Sequence, residues 1–166
     1  MKNSIFSTGL FWLWLTILIF IADFSTKKLI LNNFRLYETI PLSSYFNLSY
    51  VQNTGVAFGF LADEGEWRIW FFTFIAITIC FLLITASYRQ NINKKLSNIA
   101  YALVIGGALG NLSDRLIYGF VIDFIDFYIG DWHWPTFNIA DTAISIGVIL
   151  IIFDILIDRK NKVNLF

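Results

Sequence analysis

Ile69 to Tyr88 reads IWFFTFIAITICFLLITASY, an uncharged and largely apolar stretch with Arg68 before it and Arg89 after it. A transmembrane α-helix needs about 20 predominantly apolar residues to cross a hydrocarbon core about 30 Å thick. The stretch has that length, and a helix satisfies its own backbone hydrogen bonds, as the interior of a bilayer requires. It therefore predicts a membrane-spanning helix over about 68–88.

Three further windows of this kind lie elsewhere in the chain, from Asn3 to Ala22, from Leu96 to Ser113 and from Phe137 to Ile157. The first is longer than the apolar core of a signal peptide and no small-residue cleavage motif follows it, so we expect a retained helix. Together the windows predict one α-helical integral membrane domain, 1–166, with spans at approximately 7–27, 68–88, 96–113 and 137–157 and outer loops at 28–67 and 114–136.

The composition favours the same class of protein. Of the 166 residues, 57% are hydrophobic and 14% are charged, and the mean hydropathy is +0.66. A soluble domain carries about 25% charged residues, and a small one cannot bury so much apolar surface. The twelve basic and twelve acidic residues cancel, so no net charge attracts nucleic acid.

Basic residues concentrate near both termini and in the 89–95 loop, whereas most acidic residues fall in the other loops. The positive-inside rule therefore places both termini in the cytoplasm and the loops at 28–67 and 114–136 outside. In the first outer loop, Tyr45 to Val51 alternates as a strand does, Asn53 to Gly55 favours a turn, and Val56 to Phe60 favours a second strand. Asp126 to Trp134 is rich in aromatic residues suited to the membrane interface.

Cysteine and histidine each occur once, as Cys80 and His133. No intrachain disulfide can form, and the usual zinc sites need more such ligands than this chain supplies. The sequence also lacks the glycine-rich phosphate-binding motifs, so we expect neither a metal nor a cofactor. Because Cys80 lies deep in a span and His133 in an outer loop, we expect Cys80 to be a packing residue.

Ionisable residues within spans are costly and suggest function. Asp23 and Lys27 are spaced for an ion pair along one helix, which explains both structurally. Asp114 is followed by Arg115, and we expect the two to pair. We also expect Asp114 to orient Arg115 or other groups that line a pocket. Asn111 has an amide that needs a partner at its depth.

Asp123 and Asp141 are acids without a basic neighbour in sequence, and both fall at the outer end of the predicted bundle. Asn138 can cap the last helix with Asp141 in its first turn, a structural interpretation that leaves Asp123 unexplained. Two adjacent carboxylates share a proton, so that one can take a proton from water while the other protonates a carbonyl oxygen. The pair therefore suggests aspartyl peptide hydrolysis.

Five motifs in order resemble those of the lipoprotein signal peptidase (type II signal peptidase) family: DFSTK at 23–27, NTGVAFG at 53–59, GGALGNLSDR at 106–115, VIDF at 121–124 and FNIAD at 137–141. The resemblance implies a membrane aspartyl endopeptidase that cleaves diacylglyceryl-modified prolipoproteins just before the lipidated cysteine. It also implies a small extracytoplasmic antiparallel β-cradle and a short interfacial helix, which fit the strand pattern and the aromatic segment respectively.

By position, the resemblance implies that Asp123 and Asp141 are catalytic. It implies that the groups lining the substrate and inhibitor pocket are Asn53, Gly55, Asn111, Arg115 and Asn138. It further implies a bacterial inner-membrane location, contact with membrane lipids and inhibition by globomycin-type compounds.

A proton-linked transporter or channel is the alternative, because intramembrane acids also mark ion pathways. The clustering of the acids at one end and the lack of an inverted repeat argue against it. A non-catalytic membrane scaffold would leave Asn111 and the two acids unexplained.

Overall fold

A computed structural model describes residues 7–55 and 67–163, with side chains to residue 158. A 3₁₀ turn at Gly9–Trp12 leads into α1 (Leu13–Asn33), followed by β1 (Thr39–Pro41) and β2 (Phe46–Asn53). The remaining elements are α2 (Trp67–Arg89), α3 (Lys95–Tyr118), β3 (Val121–Ile129), β4 (Trp132–His133) and α4 (Ile139–Val163).

All four α-helices are long and apolar enough to cross a membrane, as the charge-free windows predict. The helix α3 lies at the centre and packs against the other three, and it is by far the most buried of them. Small residues permit this close packing: a methyl group added to Gly110 would lie 2.5 Å from Asp23 Oδ2 on α1. The other helices keep large apolar side chains exposed, including Trp70, Phe74 and Phe81, as a lipid-facing surface requires.

Three of the helices continue several residues beyond the predicted spans. The helix α1 continues past Lys27 to Asn33, α3 continues past Ser113 to Tyr118, and α4 continues past Ile157 to Val163. Asp114 and Arg115, which we assigned to an outer loop, therefore lie on α3. Gly119, with φ of 82°, ends that helix in the left-handed conformation that favours glycine.

The strands form one antiparallel sheet in the order β1-β2-β3-β4. The predicted strand at 45–51 is confirmed as β2, whereas the second predicted strand, at 56–60, lies outside the described residues. The aromatic segment Asp126 to Trp134, in which we expected a short interfacial helix, instead forms the end of β3, a turn and β4.

A small apolar core attaches the sheet to the helices. Ile30 of α1 packs with Tyr50 of β2 and with Ile122 and Phe124 of β3. These contacts hold β3 against the C-terminal end of α1, and a short connection carries the chain from α3 into β3. The acidic residue between the two core residues of β3, Asp123, is thereby fixed beside the first turn of α4.

Candidate active site

The first turn of α4 supplies the first half of the site. Asn138 Oδ1 accepts the backbone N–H of Asp141 at 2.8 Å, and Asp141 Oδ2 accepts the backbone N–H of Asn138 at 3.3 Å. These reciprocal bonds form a capping box, as the structural interpretation of Asp141 predicts. A third N–H of this turn, that of Ala140, donates to Asp23 Oδ1 of α1 at 2.8 Å. Two carboxylates thus lie at the positive end of the α4 dipole.

Asp123 of β3 supplies the second half and is only 2% exposed. Its Oδ1 accepts Asn138 Nδ2 at 2.7 Å, and its Oδ2 accepts Asn53 Nδ2 at 2.8 Å. The pKa of Asp123 is raised to about 7, chiefly by burial and also by the charge of Asp141, although the two amide hydrogen bonds and the charge of Lys27 act to lower it. A carboxyl with this pKa is partly protonated and partly ionised near neutral pH.

Asn111 of α3 connects the two acids. Its Nδ2 donates to Asp141 Oδ1 at 2.7 Å, and its Oδ1 accepts Asn138 Nδ2 at 3.2 Å. The resulting chain of contacts runs from Asp123 through Asn138 and Asn111 to Asp141. The buried amide of Asn111 thereby obtains the partners that its depth requires.

Behind Asn111 lies a buried ionic cluster centred on Lys27, which is 1% exposed. Lys27 Nζ lies 2.7 Å from Asp23 Oδ2, 2.8 Å from Asp114 Oδ2 and 2.9 Å from Asn111 Oδ1. The predicted pair within α1 is present, but the expected pairing of Asp114 with Arg115 is wrong. Asp114 pairs with Lys27 and also accepts the backbone N–H of Ile122 at 3.1 Å, which ties the start of β3 to α3.

Arg115 takes a different position, on the wall of an open cleft. Its guanidinium lies 4.7 Å from the centre of the Phe72 ring, and its Nη1 donates to the Asn111 carbonyl at 3.2 Å. The cleft has a volume of about 560 Å³, and Asp123, Asn53 and Gly55 also line it.

Gly55 shapes the rim of this cleft. Its N–H donates to Asn53 Oδ1 at 2.8 Å, and its φ of 83° is in the left-handed region. A methyl group added there would lie 2.5 Å from Phe72 Cε2, so the position is strained and crowded for any other residue. The same side chain of Asn53 therefore holds both the turn and Asp123.

Two further residues lie away from this network. Cys80 is buried on α2 against Ile105 and Ala108, which agrees with a packing role. His133 Nδ1 lies 2.8 Å from Asp126 Oδ1 on the sheet, a contact that the sequence analysis did not anticipate. Among residues 7–55 and 67–163, the structure places no three acidic, cysteine or histidine residues where they could hold a metal ion.

The comparisons with known proteins agree with the motifs. A family model described as signal peptidase (SPase) II matches residues 15–157. The chain belongs to the signal peptidase II family. Relatives named lipoprotein signal peptidase include one from Photorhabdus laumondii, 59% identical with 98% of this chain and 97% of the relative covered. Another, from Cronobacter sakazakii, is 56% identical with 98% of each covered.

Solved structures give the same result for the fold of this signal peptidase II chain. A bacterial membrane enzyme determined by the in meso method has a TM-score of 0.80 at 33% identity, with 91% of this chain and 90% of the other covered. A second has a TM-score of 0.78 at 33% identity, with 87% and 92% covered. The resemblance inferred from the motifs is confirmed, and the chain is an integral membrane protease of this family.

Proposed function

We propose that this protein is an aspartyl endopeptidase that removes the signal peptide of diacylglyceryl-modified prolipoproteins just before the lipidated cysteine. The observation that carries the proposal is the chain of contacts that joins Asp123 to Asp141 through two asparagine amides. The relatives named lipoprotein signal peptidase support the substrate class. The raised pKa of Asp123, about 7, supports a carboxyl that carries a proton near neutral pH.

In the proposed reaction, a water molecule adds to the scissile carbonyl carbon while Asp141 accepts one of its protons. Asp123 gives its proton to the carbonyl oxygen, which produces a neutral tetrahedral intermediate. The C–N bond then breaks as the leaving nitrogen takes the proton from Asp141, and one hydroxyl of the intermediate returns a proton to Asp123. No covalent intermediate with the enzyme forms.

The cleft beside Asp123 is the proposed binding site for the substrate and for globomycin-type inhibitors. Asn53, Gly55 and Arg115 line it and can contact the peptide directly. Asn111 and Asn138 are buried behind the cleft and are not among the residues that line it; they hold the two carboxylates in place. Among the described residues, Phe72 and the Asn111 carbonyl position Arg115, and its guanidinium has further N–H donors that can bond peptide carbonyls.

The Lys27 cluster is proposed to support the site structurally. Lys27 neutralises part of the charge of two buried acids, Asp23 and Asp114, and at the same time fixes the amide of Asn111. Since Asn111 bonds Asp141, a displacement of Lys27 would be transmitted to one of the proposed catalytic carboxylates.

We further propose that the chain is one domain, 1–166, in the bacterial inner membrane, in contact with its lipids and with both termini in the cytoplasm. This orientation follows from the basic residues of the 89–95 loop and the tail. It places the sheet and the cleft on the outer side, where the mature part of a lipoprotein lies.

The experiment that tests the proposal is cleavage of a lipid-modified precursor by the purified protein in detergent. We expect cleavage before the lipidated cysteine and its loss on addition of globomycin. Proton flux through protein-containing liposomes, in the absence of cleavage, would instead favour the transporter alternative.

A further inference from the structure

Asp126, His133 and Asn47 join three strands on the outer part of the sheet. Asp126 is 6% exposed, and its Oδ1 lies 2.8 Å from His133 Nδ1 on β4. Its Oδ2 accepts Asn47 Nδ2 of β2 at 2.7 Å. The His133 ring also stacks on Tyr128, with centroids 5.2 Å apart. This carboxylate is buried, held at both oxygens and separate from the Asp123–Asp141 network.

Asp126 and His133 line a second cleft of about 440 Å³. This second cleft adjoins the cleft beside Asp123, because Val51, Pro135 and Thr136 line both. The two clefts are therefore close enough for one extended chain to contact both.

A β-bulge explains how two acids three residues apart on β3 face connected clefts. Phe124 and Ile125 both donate backbone N–H groups to the Phe137 carbonyl, at 3.0 and 2.8 Å. Phe124 and Ile125 therefore both oppose Phe137, and this irregularity interrupts the alternation of side chains along β3. At about 3.3 Å per residue, Asp126 lies about 10 Å along β3 from Asp123, or about three residues of an extended peptide.

The second cleft has a mixed lining, in which one carboxylate lies among hydroxyl groups and the aromatic side chains of Tyr37, His133 and Trp134. Hydroxyl groups of Thr39, Ser49 and Thr136 line it, together with the carboxylate of Asp126, and no Lys or Arg is among the described residues that line it. An apolar signal sequence belongs among the membrane helices. The polar segment that follows the cleavage site suits a cleft of this kind on the sheet.

We propose that the second cleft receives the mature polypeptide at about the third residue after the lipidated cysteine, where Asp126 favours a basic side chain over an acidic one. This inference rests on the proposed peptidase function. A single charge pair formed in a cleft open to water corresponds to about a two- to fivefold preference in affinity or in kcat/KM.

The test uses three lipid-modified precursors that differ only in carrying Lys, Ser or Glu at that third position. Their cleavage by the unaltered protein and their binding to an Asp141→Asn variant are both measured in the same buffer. We expect the order Lys, Ser, Glu in kcat/KM and in affinity. Asp126→Asn should remove the Lys-over-Glu preference, whereas Asp131→Asn, an exposed acid at the nearby turn that does not line this cleft, should keep it.

A second variant covers the case in which Asp126→Asn does not fold. Thr39 is an exposed residue of β1 that lines the cleft, so Thr39→Lys adds a positive charge there and should favour the Glu precursor. Cleavage of all three precursors with equal kcat/KM would contradict the proposed role of the second cleft but not the peptidase function. Charge-dependent binding without any cleavage would contradict the peptidase function but not the binding role of the second cleft.

Discussion

Asn138 Nδ2 lies 2.7 Å from Asp123 Oδ1, so the residue that caps α4 also holds a carboxylate of β3. The same residue caps the N–H of Asp141 with its Oδ1. One amide therefore positions both acids of the proposed pair, one through each of its polar atoms. The separation of the two carboxylates is set by a helix N-terminus and a strand, both of which are rigid elements.

The activity should depend on pH through Asp123. The proposed reaction needs Asp123 protonated, and its pKa is raised to about 7, so the reactive form predominates below that value and is lost above it. We expect kcat/KM to fall about tenfold per pH unit above about pH 7. A pH profile of precursor cleavage measures this, and a profile that stays level to pH 9 would contradict the acid role of Asp123.

Asn53→Ala should move the alkaline limb of that profile to higher pH. The bond from Asn53 Nδ2 lowers the pKa of Asp123, so its removal leaves a higher pKa. We expect a displacement of about one unit, the size of a hydrogen bond to a charged group.

Asn33→Ala is the matched control for this variant, because it removes an exposed amide at the end of α1 whose partner among the described residues is the Leu29 carbonyl of the same helix. Its alkaline limb should coincide with that of the unaltered protein. A shift of the Asn53→Ala limb to lower pH would show that Asn53 does not act on Asp123 as the structure indicates.

Lys27→Met should strongly destabilise the fold. It leaves the buried carboxylates of Asp23 and Asp114 without their shared cation, and breaking a buried pair in this way costs about 3–5 kcal/mol. The thermal unfolding midpoint in detergent should fall by about 10 °C, at about 2–4 °C per kcal/mol for a chain of this size.

The control for Lys27→Met is Lys94→Met. It removes an exposed ion pair, in which Lys94 Nζ lies 3.3 Å from Asp158 Oδ1. Exposed pairs contribute about 0–1 kcal/mol, so its midpoint should change little. Equal midpoints for the two variants would mean that the buried cluster does not stabilise the protein.

The Cys80→Ala variant should cleave the lipid-modified precursor at the same rate as the unaltered protein. The thiol packs against Ile105 and Ala108 on α3, and His133 pairs with Asp126 on the sheet. Single-turnover rates and the resistance of cleavage to thiol-alkylating reagents provide the check. A large loss of turnover in a folded Cys80→Ala protein would instead indicate thiol chemistry.

The sequence contains the information for local features of the fold. Charge-free windows predict four helices because the length of an apolar run is set by the bilayer. The capping box at Asn138 and Asp141 is likewise local, since its two residues are three apart. The strand at 45–51 follows from alternation, which is a property of consecutive residues.

Contacts between distant segments were missed for a physical reason. Lys27 and Asn111 are 84 positions apart, and Ala140 is 117 positions from Asp23, so no spacing rule connects either pair. Adjacency in sequence suggested Arg115 as the partner of Asp114. On α3, however, Asp114 faces α1 and Arg115 faces the cleft, because consecutive helical residues point about 100° apart.

The most direct test of the account is the cleavage rate of a lipid-modified precursor by Asp123→Asn and Asp141→Asn, with Asp158→Asn as the control acid on α4. Loss of an acid or base of the reaction should lower kcat by about 10²–10⁴-fold in each of the first two variants, while their unfolding midpoints still show a folded protein. Asp158→Asn should retain full activity, since its side chain is exposed and its ion-pair partner among the described side chains is Lys94. Near-complete turnover by either of the first two variants would contradict the proposed catalytic pair.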